Sequence, residues 1–331
     1  MPIYRPSGAQ TVNPVQQSFL DSVRAGRVTP VISDEAVVNL ALGSYTRLVE
    51  GYAELVQYPM PDRDNLTRVA KFRQLHEGLP DRALKSDYLT WFKSHIFLTA
   101  EAAGADRDLL GEAEAEVDDL TVSAFANRLG YPRLDGGAAD PLLVVANLPV
   151  RTIITTSPTT FLEDALRRAG KTPRTELCRW HKELDGIESA IDATYRPSAV
   201  EPLVYHLHGL DSYPDSLVLT EDDHLQFLVN ICQNQGNNAA DRVHALVRQA
   251  LFDDLILLGF GLSSWAFRGL YAGMIKTGGR QEDRGVVALQ VVPNNDEKAY
   301  LDDYVRREAR FDVFWGEIGQ YTAELQEKLK R

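Results

Sequence analysis

The 331-residue sequence contains little of what marks several common protein classes. Its two cysteines, Cys178 and Cys232, are too few for a four-cysteine zinc site and suit a reduced protein of the cytoplasm. No stretch approaches the roughly 18 consecutive apolar residues of a membrane-spanning helix, and the first residues lack the apolar run of a signal peptide. We therefore expect no membrane span and a cytoplasmic location.

Positive charge is also scarce. The 35 lysines and arginines are outnumbered by 47 aspartates and glutamates, which gives a formal net charge of −12. Because proteins that bind nucleic acids contact phosphates through clustered lysine and arginine, direct nucleic-acid binding is not expected. The Gly-x-Ser-x-Gly elbow of α/β-hydrolases and the Walker loop of P-loop proteins are absent as well.

Strand and helix patterns alternate along much of the chain. The apolar segment at 27–33 predicts a buried first strand. Further strands are predicted near 151–155, 203–207, 216–219, 254–258, 285–291 and 311–315. Helices are predicted near 14–25, 158–170, 221–232, 240–252, 264–276, 296–309 and 317–330. This alternation predicts an α/β fold in which helices cover a Rossmann-like, mostly parallel sheet.

One long stretch interrupts the alternation. Its apolar residues recur at helical spacing, as Tyr88 and Phe92 do, and we predict an all-helical insertion at 46–135. The Rossmann-like domain then has two parts. Residues 1–45 supply an N-terminal arm, the first helix and the first strand, and residues 136–331 supply the remainder.

Polar and glycine residues follow three of the predicted strands. The strand near 151–155 ends in hydroxyl residues, the strand near 203–207 in a histidine and a glycine, and the strand near 254–258 in a glycine loop. Because the carboxyl ends of parallel strands meet at one edge of a sheet, we expect these residues to converge on one nucleotide-sized site. They are Thr155, Thr156, Ser157, His208, Gly259, Phe260, Gly261 and Ser263.

Helix capping would also explain several of these positions. Thr160 and Glu163 have the spacing of a capping box, and Ser263 or Ser264 could cap the helix after the glycine loop. A histidine before a glycine is also common in ordinary turns. Capping and binding therefore both stay open for the hydroxyl residues and for the serines.

Metal binding is not expected from the histidine pair. His206 and His208 lie two residues apart on a strand and would share one face. No cysteine, histidine or carboxylate is placed in the sequence to supply the third ligand that a metal ion would need. The strand end therefore suggests ligand binding or acid–base chemistry.

These motifs, taken in order, resemble those of the SIR2-like family, bacterial relatives of sirtuins. In that family a strand ends in Thr-Thr-Asn, a later strand ends in His-Gly, and a third is followed by Gly-Tyr-Ser-Leu-x-Asp. This sequence has Thr155-Thr156-Ser157 before Phe161-Leu162-Glu163, then His208-Gly209, then the segment Gly259–Ser264. The resemblance spans residues 140–316.

The resemblance implies a Rossmann-like domain that binds NAD and hydrolyses its nicotinamide–ribose bond in anti-phage defence. His208 would act as base or ribose orienter, and Ser157 stands where the family has its catalytic asparagine. Thr155, Thr156, Gly259, Phe260, Gly261 and Ser263 would contact the NAD. The partner would be a second copy of the chain or a second defence-system protein. No zinc is expected, because the zinc ribbon of deacylase sirtuins is absent.

Two departures from the family favour a different hypothesis. The first strand ends in Ser33-Asp34-Glu35 where the family has a Gly-Ala-Gly loop, and Ser157 replaces the asparagine. Carboxylates at the start of a helix would repel the pyrophosphate that the glycine loop binds. The alternative is a catalytically degenerate module that binds a nucleotide or a partner protein.

Overall fold

The structure is a computed structural model that describes residues 17–233, 242–261, 264–275, 287–291 and 311–330. Seven strands of these residues form one sheet in which every neighbouring pair is parallel. They are β1 (Val28–Ile32), β2 (Thr152–Thr155), β3 (Arg174–Leu177), β4 (Leu203–His206), β5 (Asp254–Leu258), β6 (Val287–Val291) and β7 (Phe311–Trp315). Their order in the sheet is β3-β4-β2-β1-β5-β6-β7. The predicted Rossmann-like α/β class is confirmed.

Helices bury both faces of this sheet. Successive strand residues alternate between two apolar clusters: Val204 and Ile256 belong to one, and Tyr205 and Leu257 to the other. This alternation follows from the pleat of a strand, and it explains why the central strands are apolar throughout. The α-helices of the described residues are α1 (Gln17–Arg24), α2 (Asp34–Leu42), α3 (Tyr45–Leu55), α4 (Leu66–Glu77), α5 (Asp81–Ala102), α6 (Arg107–Ala115), α7 (Val122–Arg128), α8 (Pro141–Asn147), α9 (Phe161–Arg168), α10 (Glu221–Gln233), α11 (Ala245–Ala250), α12 (Trp265–Leu270) and α13 (Ile318–Lys330).

The first strand lies at the centre of the sheet, between β2 and β5. β1 pairs with β5 along its whole length, from Val28 opposite Asp254 onward. Its pairing with β2 begins at Val31, directly after Pro30, which has no N–H group to donate. The strand that comes before the long helical stretch is therefore joined to strands that come after it.

Two predictions about strands are wrong. Residues 216–219 form no strand: Pro214–Ser216 is a short 3₁₀-helix, and the N–H groups of Leu217, Val218 and Leu219 bond to Pro214, His208 and Asp223 without forming a ladder. β3, by contrast, has no counterpart in the sequence prediction. It pairs with β4 alone at the edge of the described sheet, so its residues need no apolar pattern on both faces.

Some predicted segments lie outside the described residues. These are the N-terminal arm, the helix near 296–309 and Ser263. The other predicted helices are present with ends no more than five residues from those expected, except that α12 ends at Leu270 and passes into a π-helical turn at Tyr271–Ile275.

Five helices, α3 to α7, fill the stretch that the sequence predicts to be helical. They are held to one another and to the sheet domain by buried polar contacts. The Trp91 indole N–H donates to the Leu48 carbonyl at 2.9 Å, and the Lys85 ammonium, 1% exposed, lies 3.4 Å from Asp223 at the start of α10. The limits 46–135 of an insertion stay a prediction. No helix within the described ranges is long and apolar enough to cross a membrane.

Candidate functional site

A cavity of about 400 Å³ lies at the carboxyl-terminal edge of the sheet. Much of its wall comes from the residues that directly follow β1, β2 and β5 and from the turn after β4. The helical segment also contributes, with Tyr45 at the start of α3, residues 64–67 at the start of α4, and Tyr88 on α5, and the starts of α10 and α12 add His224 and Trp265. Open α/β sheets bind their ligands at this edge, at the switch point of the strand order. The switch point is the strand that has later strands of the chain on both of its sides. In this protein that strand is β1.

His208 lines this cavity as a buried, neutral imidazole. It is 6% exposed, and its Nε2 has no hydrogen-bond partner among the described residues. The rings of His224 and Phe227 pack against it, with ring centroids 5.0 and 5.1 Å away. Burial lowers the pKa of His208 well below its ordinary value, and the neighbouring His224 lowers it further. The imidazole is therefore uncharged near pH 7 and able to accept or donate one hydrogen bond through Nε2.

A tight turn carries His208 out of its strand. β4 ends at His206, and Gly209 has a φ of +90° with its backbone so close to Ser216 that a β-carbon would overlap it. The carbonyl of His208 accepts a hydrogen bond from Val218 at 3.1 Å. The prediction that His206 and His208 share one face is wrong, because the two-residue period of the strand ends before His208.

A buried ion pair lies beside this turn. His206 Nε2 is 2.9 Å from Glu163 Oε1, and His206 Nδ1 is 2.7 Å from the carbonyl oxygen of Ser157. Because a carbonyl and a carboxylate can only accept, His206 donates from both nitrogens as an imidazolium. Burial alone would lower the pKa of His206, but the Glu163 carboxylate outweighs it and the pKa is raised. Glu163 is therefore not the capping partner of Thr160, which makes no side-chain capping bond.

The hydroxyl residues after β2 divide between the cavity and the interior. Thr156 lines the cavity, and its Oγ1 accepts from the backbone N–H of Asp34 at 2.9 Å. Thr155 is buried and donates to the backbone of β1, and Ser157 is buried with its Oγ 3.0 Å from Thr159 Oγ1. Neither Thr155 nor Ser157 is among the residues that line the cavity. Their predicted roles stay predictions.

The glycine loop after β5 forms another part of the wall, since Gly259, Phe260 and Gly261 all line the cavity. Gly259 has a φ of +73°, and a β-carbon there would overlap Ala36 of α2. The buried side chain of Gln290 on β6 holds the loop by accepting from the Gly259 N–H at 3.0 Å. Glycine at 259 therefore allows the loop to pack closely on the start of α2.

The helix after the glycine loop begins at a serine cap. Ser264 Oγ accepts from the Phe267 N–H at 3.2 Å, so Ser264 is the capping residue of α12. Ser264 also lines the cavity. Ser263, which the sequence predicts as a nucleotide contact, lies outside the described residues, and its role stays a prediction.

Asp34 is a second buried titratable group on the cavity. It is the first residue of α2, and its Oδ1 is buried without a hydrogen-bond partner in the described part of the chain. Burial raises the pKa of Asp34 to about 7, a hydrogen bond from the Ser157 side chain opposes this rise, and the charge of Glu35 adds to it. Ordinary aspartates are fully ionised at neutral pH, whereas the Asp34 carboxyl gains or loses its proton there.

Three residues that line this cavity each carry a buried polar atom without a hydrogen-bond partner in the described part of the chain. The atoms are Asp34 Oδ1, Tyr88 OH and His208 Nε2. Buried polar atoms without partners are rare in folded proteins, because each costs about 1–3 kcal/mol when it is left unsatisfied. Three of them on one cavity indicate a site that is completed by a bound molecule.

The first turn of α10 positions His224 behind His208. Thr220 and Asp223 form a reciprocal capping box, in which the Thr220 N–H donates to Asp223 at 2.9 Å and the Asp223 N–H donates back to Thr220 at 3.2 Å. Burial lowers the pKa of His224 to about 4, against the opposing charge of Asp223. Both imidazoles are therefore neutral near pH 7, which removes any repulsion between them.

The sequence patterns do not reveal several of the residues that line the cavity. Tyr45, Asp64 and Tyr88 belong to the helical segment, where nothing in their local spacing distinguishes them from packing or surface residues. Asp34, by contrast, stands out in the sequence, because it directly follows a buried strand at the position of the family's glycine loop. Within the described residues, no group of three histidine, cysteine or acidic side chains could hold a metal ion. The absence of zinc stays a prediction.

The fold and the cavity together define a Rossmann-like α/β protein with a candidate ligand site at the carboxyl ends of its strands. Residues 151–309 match the family model of the SIR2-like domain. The chain therefore contains a SIR2-like domain over these residues, and that domain is of an NAD-related kind. The match includes His208 and the glycine loop but not β1 and Asp34. A search of curated proteins finds no match to the chain.

Proposed function

We propose that the protein binds NAD⁺ and hydrolyses its nicotinamide–ribose bond. The observation that carries the proposal is His208, a buried neutral imidazole at the ligand edge of an NAD-related domain, whose Nε2 has no hydrogen-bond partner among the described residues. Ligand pockets commonly measure about 300–1,000 Å³, and a cavity of about 400 Å³ suits the nicotinamide riboside end of NAD⁺.

In the proposed reaction a water oxygen attacks the ribose carbon C1′, and the bond between C1′ and the ring nitrogen breaks. The electrons of that bond pass to the ring, which leaves as neutral nicotinamide, and one water proton is released, so that ADP-ribose is the other product. The low pKa of His208 makes it a weak base. Its role is to orient a ribose hydroxyl or the water through a hydrogen bond to Nε2.

A second candidate function is binding of a nucleotide or a partner protein without catalysis. It is favoured by the position of Ser157, which replaces the family's asparagine and is fully buried. Its hydroxyl bonds to Thr159, and it does not line the cavity. A residue in this position cannot hold the attacking water as an asparagine amide would.

The test is the release of nicotinamide from NAD⁺ by the purified protein, with and without any protein that co-purifies with it. Hydrolysis predicts nicotinamide and ADP-ribose in equal amounts. Release at background level together with an NAD-dependent rise in melting temperature would favour the binding module. If there is neither release nor a melting shift, both candidates are contradicted.

Ser157→Ala should reduce nicotinamide release only modestly, by less than about tenfold, because its hydroxyl acts on the site only through Asp34. Without this hydrogen bond the pKa of Asp34 should rise further. We therefore expect the pH profile of the reaction to shift to higher pH. Rates across the pH range would show this shift, and Ser189→Ala, on the loop after β3, is the matched control. A fall in the rate of nicotinamide release as large as that expected for a residue in contact with the substrate would contradict this indirect role of Ser157.

We further propose, from the family, that the protein works in bacterial anti-phage defence, as a homo-oligomer or with a second defence-system protein. The supporting consideration is that nothing in the described fold resembles a regulatory domain, so that a trigger would come from another molecule. Light scattering and purification with the neighbouring gene products test this. A monomer with no stable partner, and unchanged NAD levels on phage infection, would contradict it.

A further inference from the structure

The charge of the cavity does not suit a phosphate chain. Three acidic residues line it, namely Asp34, Glu35 and Asp64, and its described lining contains no lysine or arginine. Phosphate sites normally combine such cations with backbone N–H groups, because charge-assisted hydrogen bonds are the strong ones. The cavity therefore favours a neutral or cationic group.

The start of α2 is also unsuited to pyrophosphate. In a Rossmann-like domain the helix after the first strand would bind that group through its free N–H groups. Here the Asp34 N–H donates to Thr156 Oγ1 at 2.9 Å, and the Ala36 N–H donates to Ser33 Oγ at 3.0 Å. Two of the N–H groups that would face a phosphate are satisfied by the protein, and Asp34 and Glu35 add negative charge in the same turn.

The same cavity does suit an aromatic cation joined to a sugar. Asp34 Oδ1 can accept a hydrogen bond or balance a positive charge, and Tyr88 OH and His208 Nε2 can bond to hydroxyl or amide groups. Aromatic rings, which attract cations through their faces, also line it. They belong to Tyr45, Tyr88, Phe260 and Trp265. Oxidised nicotinamide linked to ribose has all of these features: a flat ring with a positive charge, an amide and hydroxyl groups.

We propose that the cavity recognises the cationic pyridinium N-riboside end of its ligand by charge, with Asp34 as the counter-charge, and that it accepts pyridinium N-ribosides that carry no diphosphate. The choice of an N-riboside rests on the proposed function. The binding itself does not require that the protein cleaves the bond.

Binding of the cation should depend on pH. Below pH 7 the Asp34 carboxyl is protonated and neutral, and above pH 7 it carries the charge that attracts the ring, since burial raises its pKa to about 7. The titratable groups that face the same cavity are Glu35, Tyr45, Asp64, Tyr88, His208 and His224. Affinity for the cation should therefore increase as the pH rises from about 6 to about 8.

The neighbouring groups leave Asp34 as the main source of this change. Burial raises the pKa of Tyr45 and of Tyr88 well above their ordinary value, so both stay neutral. Burial also keeps His208 and His224 neutral by lowering their pKa. Burial and the charge of Asp64 raise the pKa of Glu35, so substitution of Asp34 is needed to separate the two acids.

The experiment is calorimetric titration of the full chain at about pH 6 and about pH 8. The probes are nicotinamide riboside, its reduced and uncharged dihydro form, NAD⁺ and NADH. At the higher pH we expect the cationic riboside to bind about tenfold or more tightly than the reduced one, as one partly buried charge pair would supply. Asp34→Asn, which keeps the shape of the side chain, should remove both the preference and the pH dependence. Asp108→Asn, at an exposed position on α6, is the matched control and should retain both.

Equal affinity for the oxidised and reduced ribosides would overturn the inference, and so would an Asp34→Asn protein that folds and keeps the preference. Cleavage of NAD⁺ without binding of the riboside would overturn the inference and leave the proposed function standing. Selective binding of the riboside without cleavage would support the inference and contradict the proposed hydrolysis. If the Asp34→Asn protein does not fold, the pH dependence and the comparison of NAD⁺ with NADH in the wild type still decide the question.

Discussion

Replacing His208 with alanine is expected to slow nicotinamide release by about 10²–10⁴-fold, the range for removal of a positioned catalytic group. His208 lines the cavity and its Nε2 has no partner in the part of the chain that the structure describes, so the substrate would lose a hydrogen bond made at the reacting ribose. The measurement is the rate of nicotinamide release at saturating and at limiting NAD⁺. The loss should be present in kcat, because orientation of the reacting groups is lost and not only affinity.

The control for His208 is a histidine elsewhere in the fold. His95 lies on α5, is half-buried and does not line the cavity, so His95→Ala should retain the wild-type rate. Thermal melting of both variants separates loss of activity from loss of structure, since His208 also packs on His224 and Phe227. Equal rates for the wild type and for His208→Ala would end the proposal that this cavity is catalytic.

Replacing Glu163 with alanine is expected to lower the free energy of unfolding by about 3–5 kcal/mol, the cost of removing one partner from a buried ion pair. Glu163 and His206 are both 0% exposed, and the substitution would leave the His206 imidazolium without its counter-charge. The Thr175 hydroxyl, which donates to Glu163 at 2.8 Å, would lose its acceptor as well. Urea unfolding followed by circular dichroism measures the change.

Two further variants make this stability prediction specific. Glu163→Gln keeps an acceptor for His206 but removes the charge. It should therefore lower the free energy of unfolding by less than Glu163→Ala does. Glu112→Ala, which breaks an exposed ion pair with Arg128, should change stability little. A Glu163→Ala protein as stable as the Glu112→Ala protein would contradict the buried ion pair.

The stability that the Glu163–His206 ion pair contributes should also depend on pH in a defined direction. The pKa of His206 is raised in the folded state. Its contribution to stability is therefore fully present below the ordinary histidine pKa and is lost as the pH rises through the raised value. The difference between the wild type and Glu163→Gln should accordingly be larger near about pH 6 than near about pH 9. An unchanged or opposite difference would mean that His206 is neutral.

The fold was largely predictable because its strands carry a simple pattern. β1, β2, β4 and β5 are short apolar runs, and such runs mark parallel strands that helices cover on both faces. β3 has charged and polar residues and was missed, since an edge strand can form on backbone pairing alone. The segment 216–219 has the apolar pattern of a strand but makes no ladder, because its backbone packs against the turn that carries His208.

The site was predictable only where a strand end carries unusual chemistry. His208 and the glycine loop stand out in the sequence because each directly follows an apolar run. Ser157 follows such a run too, but its hydroxyl bonds to Thr159 and the residue does not line the cavity. Which way a side chain faces after a strand depends on the local turn, and the two-residue period no longer applies there.

The sequence by itself determined the α/β class, the resemblance to the SIR2-like domain and the order of the motifs, because local apolar patterns and short motifs are enough for these. The tertiary structure alone decided which residues share the cavity. Tyr45, Asp64 and Tyr88 reach it from a helical stretch that is distant in sequence from His208. The shifted pKa of Asp34 and that of His208 likewise have no counterpart in the sequence, because both shifts come mainly from burial. Burial is a property of the packed chain, and it is what makes an ordinary aspartate and an ordinary histidine into candidates for binding and chemistry.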